Sequence, residues 1–224
     1  MNRVSVCRLD DLRTILEQLV RAADTLRVDV CLNIAENARL VDFNTCYEGL
    51  RRTYQTATQI MINYSLPCLD LRVYLKDISR REPVGAPIIH YSLSRNNFLE
   101  SLQRGQFAVV AIGGTFDRLH AGHKLMLSVA ALLSSASVIC GVTDDADMIA
   151  KKEYRDRIES FAIRSQRVRD FFESFAPAGI DLDIVKLTEP FGPTITRSDI
   201  GALVITPETQ RGGEASMVLN FEIT

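Results

Sequence analysis

Residues 107–124 read F-A-V-V-A-I-G-G-T-F-D-R-L-H-A-G-H-K. Phe107–Ile112 is an unbroken apolar run, the pattern of a strand buried on both faces, and it stops at Gly113-Gly114. From His120 to Leu133 the spacing becomes helical, with positions 122, 125, 126, 129, 132 and 133 on one side. A buried strand, a glycine loop and a helix make a βα unit. In an open parallel sheet the ligand crevice lies outside the carboxyl ends of the strands, so this loop is expected to face a ligand. Two glycines let the backbone approach that ligand closely, while the helix offers its free N–H groups and positive dipole end to an anion. His120 and His123, two of the chain's three histidines, project on one side of that anion site. For Lys124, one position on, a role at the site and simple solvation both stay open.

The same grammar continues downstream. Ser137–Val142 reads as a second buried strand, Asp156–Phe175 as a long amphipathic helix, Leu182–Leu187 as a third strand and Ala202–Thr206 as a fourth. Repeated βα alternation implies an α/β fold, a Rossmann-like doubly wound parallel sheet with helices on both faces, over residues 107–224. Upstream, an amphipathic run at Leu9–Leu26, a strand at Val28–Leu32, a helix at Asn44–Ile62 and a strand at Leu69–Leu75 outline a smaller α/β amino-terminal region, residues 1–75. Between them, residues 76–106 carry charges, Pro83, Pro87 and the polar run Ser92–Asn97, and read as a linker with one short helix near Asn97–Arg104.

Composition narrows the functional classes. Of 224 residues 46% are hydrophobic and the formal net charge is only −2, which excludes an acidic disordered tail or a basic nucleic-acid coat as the chain's main business. The residues after 106 hold 12 Lys and Arg against 16 Asp and Glu, so phosphates would have to be bound by locally aimed donors. No apolar run approaches the roughly 20 residues that span a bilayer. The five cysteines, Cys7, Cys31, Cys46, Cys68 and Cys140, are odd in number with no C-x-x-C pair and read as reduced core residues. Arginines near the amino terminus are interleaved with Asp10, Asp11, Glu17 and Asp24, unlike an acid-poor transit peptide, so a cytoplasmic protein is expected. No nucleic-acid or membrane partner is expected.

The run Gly114–His123, G-T-F-D-R-L-H-A-G-H, resembles the signature of the nucleotidyltransferases with a Rossmann-like fold. Further along stand Gly141-Val142-Thr143-Asp144-Asp145, Lys151-Lys152, Glu189–Thr194 and Ala202–Thr209 followed by Gly212-Gly213. In that order they look like the phosphopantetheine adenylyltransferases of the eukaryotic and archaeal type. The resemblance implies transfer of the adenylyl group of ATP to 4'-phosphopantetheine, with Mg2+ accompanying ATP, in coenzyme A biosynthesis. It implies that His120 contacts the triphosphate, that His123 stabilises the transition state at the α-phosphate, and that Thr115 orients the attacking phosphate. Lys151 or Lys152 matches the family lysine that neutralises developing charge. Gly113, Gly114, Phe116, Gly122 and Arg164 are carried over as binding residues, and Gly192, Pro193, Glu208 and Thr209 as shaping the nucleotide side. Asp117 is read as orienting the loop rather than holding magnesium, and no metal-binding residue is assigned. Family members continue with an N-x-x-R element and a serine-rich motif that do not follow Gly213, so the domain is expected to be short at its carboxyl end. The alternatives are a cytidylyltransferase acting on a small phosphorylated alcohol, or a non-catalytic nucleotide-binding homologue.

Overall fold

Val109, Val110, Ala111 and Ile112 are buried in the strand Phe107–Gly114, which places the apolar run of the sequence in the core of the carboxyl-terminal sheet. The structure, a computed structural model, describes residues 3–6, 13, 14, 17, 27–33, 43–64, 70–75, 88–92, 104–144, 146–150, 154–189 and 191–205. They fall into two compact units, residues 1–103 with 173–178 and residues 104–172 with 179–224.

In the first unit, β1 (Arg3–Val6), β2 (Arg27–Asn33), β3 (Asp70–Leu75) and β4 (Ile88–Ser92) form a parallel sheet in the order β1-β4-β2-β3. Helix α1 (Phe43–Asn63) buries Phe43, Cys46, Leu50, Tyr54, Ala57 and Ile60, a stripe of helical period. β2, β3 and α1 lie where the sequence places them. Two strands do not. β1 was not expected, and β4 stands inside the stretch read as a linker, where it pairs with β1 on one side and β2 on the other. An I-I-H-Y-S pentapeptide is too short for its periodicity to stand out, and its strand state depends on the partners on either side. Of the helix expected at Leu9–Leu26, only Arg13, Thr14 and Glu17 are described, all helical. The short helix expected near Asn97–Arg104 lies outside the described residues apart from Arg104, which is in a turn.

The second unit runs β5 (Phe107–Gly114), α2 (Ala121–Leu133), β6 (Ser134–Thr143), α3 (Ala146–Ala150), α4 (Phe161–Phe175), β7 (Asp181–Leu187) and β8 (Ile200–Val204). The sheet order is β7-β6-β5-β8 and every pair is parallel. Ile112 is flanked by Cys140 on one side and Val204 on the other. The chain steps outward from β5 to β6 to β7 and then returns to the far side of β5. The topological switch point therefore lies between β5 and β8, and the loop after Gly114 leaves from it. β6 begins three residues earlier than expected, directly from α2, with the Ser134 hydroxyl donating to Ser137 O at 2.9 Å. The helix expected at Asp156–Phe175 is instead a short 3-10 turn, Arg155–Arg157, followed by α4 from Phe161. The break has a tertiary cause: the Glu159 N–H donates to Asp117 Oδ1 at 2.9 Å rather than entering a helix. Among the described residues no helix is long and apolar enough to cross a membrane.

Candidate active site

Beyond Gly114 the chain turns sharply. Phe116 (φ 53°) and Arg118 (φ 47°) adopt left-handed backbone, and neither is glycine. Each such residue costs on the order of 1–3 kcal/mol unless its surroundings hold it, so the loop is fixed by what it touches. Phe116 is fully buried. Its ring lies beside Gly114, where an added Cβ would come 3.3 Å from the ring edge, and its centroid is 5.1 Å from that of His123. The sequence grouped Phe116 with the binding residues; the structure puts it beneath the site, where it supports His123.

His120 is extended at the N-cap of α2 and makes no side-chain cap. The helix start is thus not closed by its own N-cap side chain, and its positive dipole end faces the loop. The imidazoles of His120 and His123 stack with centroids 3.8 Å apart and planes 25° from parallel. Gly122 makes room for this: a Cβ there would sit 3.2 Å from His120 Cε1 and 3.3 Å from Nδ1. The H-x-G-H spacing therefore has a steric content, two imidazoles laid together over the start of a helix. Each ring carries an N–H donor in either protonation state. Lys124 is buried at 5% exposure, which removes the solvated reading, and its N–H donates to His120 O at 3.0 Å.

The floor is built from small residues. Leu187 at the end of β7 is enclosed by Gly113, Gly141 and Gly192. A Cβ on Gly141 would fall 2.7 Å from its Cδ1, and one on Gly192 would fall 2.2 Å from its Cδ2. Gly192 also has φ 49°, so glycine is required there twice over. Pro193 and Thr194 follow in the short turn Gly192–Ile195.

Around this floor runs a polar frame. The Thr143 hydroxyl donates to Gly114 O at 3.2 Å. Arg164, 1% exposed, donates from Nη1 to Thr115 O at 2.6 Å and from Nε to Glu159 O at 2.8 Å, and its Nη2 lies 3.7 Å from Asp144 Oδ1. Burial pulls its guanidinium below the ordinary value, while Asp144, Asp117 and Glu159 act the other way. Asp144 also takes Lys186 Nζ at 2.5 Å. Asp117 accepts from the Glu159 N–H as above. Glu159, Lys186 and Leu187 were not singled out in the sequence, and Asp144 stood there only within the run Gly141–Asp145 with no role given: Glu159 lies 42 residues from the Asp117 it binds, and no local pattern spans that gap.

The structure thus brings Gly113, Gly114, Thr115, Phe116, Asp117, His120, Gly122, His123, Arg164 and Gly192 to the carboxyl ends of β5, β6 and β7. Lys151, Lys152, Glu208 and Thr209 lie outside the described residues. Among the described residues no three His, Cys, Asp or Glu side chains are grouped to hold a metal ion.

Residues 111–209, within the second unit, match the family model described as cytidylyltransferase-like. The chain's relatives are more particular. The phosphopantetheine adenylyltransferase of Saccharomyces cerevisiae is 36% identical over 131 residues, covering 57% of this chain and 42% of that protein. Those of Methanopyrus kandleri and Archaeoglobus fulgidus are 40% identical over 105 residues and 39% over 100, covering 47% and 45% of this chain and 64% of each relative. The chain thus spans less than two thirds of the length of these relatives.

Proposed function

We propose that the second unit transfers the adenylyl group of Mg2+-ATP to 4'-phosphopantetheine, giving dephospho-coenzyme A and pyrophosphate. The observation that carries the reading is the stacked His120–His123 pair over the uncapped start of α2, at the switch point of a parallel sheet. The likeness to phosphopantetheine adenylyltransferases supplies the substrates.

A phosphate monoester has a second pKa near about 6, so the attacking oxygen is largely ionised at neutral pH and needs no general base. That oxygen forms a bond to the α-phosphorus of ATP as the bond to the β-phosphate oxygen breaks, and pyrophosphate leaves with the electron pair. The protein's work is alignment and charge stabilisation. The amides at the start of α2 and His120 receive the triphosphate, and His123 donates to the α-phosphate as charge builds there. Thr115 sets the direction of attack. Gly192, Pro193, Glu208 and Thr209 border the nucleotide, and Lys151 or Lys152 meets the developing charge. Bound Mg2+ neutralises part of the triphosphate charge.

The family description leaves a cytidylyl reading as the competitor. Pyrophosphate release measured with each nucleotide and acceptor pair separates the two. Turnover with ATP and 4'-phosphopantetheine is expected. Turnover confined to CTP with phosphocholine or glycerol phosphate would replace this reading, and nucleotide binding without any turnover would leave a binding protein.

A further inference from the structure

Arg164 stands at the head of the buried stripe of α4, followed by Val168, Phe171, Phe172 and Phe175, in a position whose helical spacing calls for an apolar residue. A guanidinium in such a place must have its donors satisfied and its charge met. Backbone and carboxylate groups of three separate segments meet it: Thr115 O in the loop and Glu159 O just before α4 accept hydrogen bonds, and Asp144 after β6 supplies the counter-charge. We propose that Arg164 is a positioning residue for phosphoryl-group chemistry: it fixes the Thr115 peptide, and through it the aim of the loop and of His123, without touching substrate.

Three observations support this. The Thr115 carbonyl belongs to the peptide that leads into left-handed Phe116, so holding that oxygen holds the strained turn whose ring packs beside His123. The guanidinium is 1% exposed, with Nε and Nη1 hydrogen-bonded to backbone carbonyls and Nη2 paired with Asp144, whereas Lys186, the second cation on Asp144, keeps 54% of its side chain exposed. Asp144 joins the end of β6 to both cations and gives the arginine a fixed counter-charge.

The kinetic part of the test rests on the adenylyl-transfer reading; the exchange and binding parts do not. In Arg164→Met, hydrogen exchange of the amides of residues 115–119 is expected to speed up about tenfold or more while β5 and β6 keep their protection. ATP affinity by calorimetry should stay within about threefold. The turnover number should fall on the order of 100-fold, the scale of a misplaced reacting group. Arg164→Lys should recover only part of this, because an ammonium lacks the planar fork that reaches several acceptors at once. Asp144→Asn should move exchange and turnover in the same direction by less, and it carries the test if Arg164→Met does not fold. A tenfold loss of ATP affinity with unchanged loop exchange would make Arg164 a ligand and overturn the proposal. Exchange raised equally throughout β5 and β6 would reduce it to a residue of the fold, with the same effect. If the wild-type protein turns over no nucleotide and acceptor pair, the adenylyl-transfer reading fails, and loop exchange and ATP affinity decide the role of Arg164 alone.

Discussion

The sheets β1-β4-β2-β3 and β7-β6-β5-β8 are both four-stranded and all-parallel, and both reverse direction once, between β2 and β4 in the first and between β5 and β8 in the second. At the first reversal the paired strand ends are Asn33 and Ser92. At the second stands a strained loop whose carbonyls are tied down by Thr143 and Arg164 and whose two imidazoles are stacked over a helix start. A switch point supplies a crevice; the side chains and small residues placed around it decide whether the crevice can do chemistry.

The sharpest break of this contrast is His123→Ala. Removing one preorganised donor to a developing oxyanion costs about 10²–10³-fold in turnover, and nucleotide affinity should change little because the interaction strengthens only as charge develops. Equal losses in turnover and in ATP affinity would make His123 a ground-state ligand instead. Next in size is Gly141→Ala. With its Cβ 2.7–2.8 Å from three atoms of Leu187, overpacking should destabilise the second unit by about 1–3 kcal/mol, read by urea unfolding. An unchanged midpoint would show that Leu187 can move aside, and that the glycine floor has slack.

The smallest effect belongs to the first unit. A hydrogen bond from Arg51 is the largest influence on the Glu48 carboxyl; with a further bond from Arg52, and against the opposing effect of burial, it is held near 2 rather than 4.5. A depressed carboxyl stabilises the fold above its unfolded value and loses that contribution as pH falls from about 4.5 toward 2. Arg51 and Glu48 are 36% and 37% exposed, so solvent screening limits the gain to about 0.5 kcal/mol. Glu48→Gln should therefore lower stability slightly at neutral pH and match the wild type near pH 2. A gap that persists at low pH would trace the loss to helix packing rather than charge.

How much was legible follows the same division. The second sheet could be read because Val109–Ile112 and Val138–Val142 are buried and so appear within continuous apolar runs. β1 and β4 are short, and what makes them strands is the neighbour across the sheet, which no window of sequence contains. In the site, the histidines and glycines are local and were visible as a motif. Arg164 was visible as a candidate binding residue but its place was not: an arginine on an amphipathic helix is ordinarily solvated, and only the fold reveals that it occupies the apolar stripe. Glu159 and Asp144 act across the fold, and their roles could not be seen from spacing.

Whether the chemistry belongs to the second unit is decided by the ATP affinity of a fragment comprising residues 101–224, measured by calorimetry beside the full chain. The fragment is expected to fold and to bind ATP with a dissociation constant within about threefold of the full chain's. A fragment that is soluble and folded yet binds no ATP would show that the first unit contributes directly to the site, and would contradict that expectation.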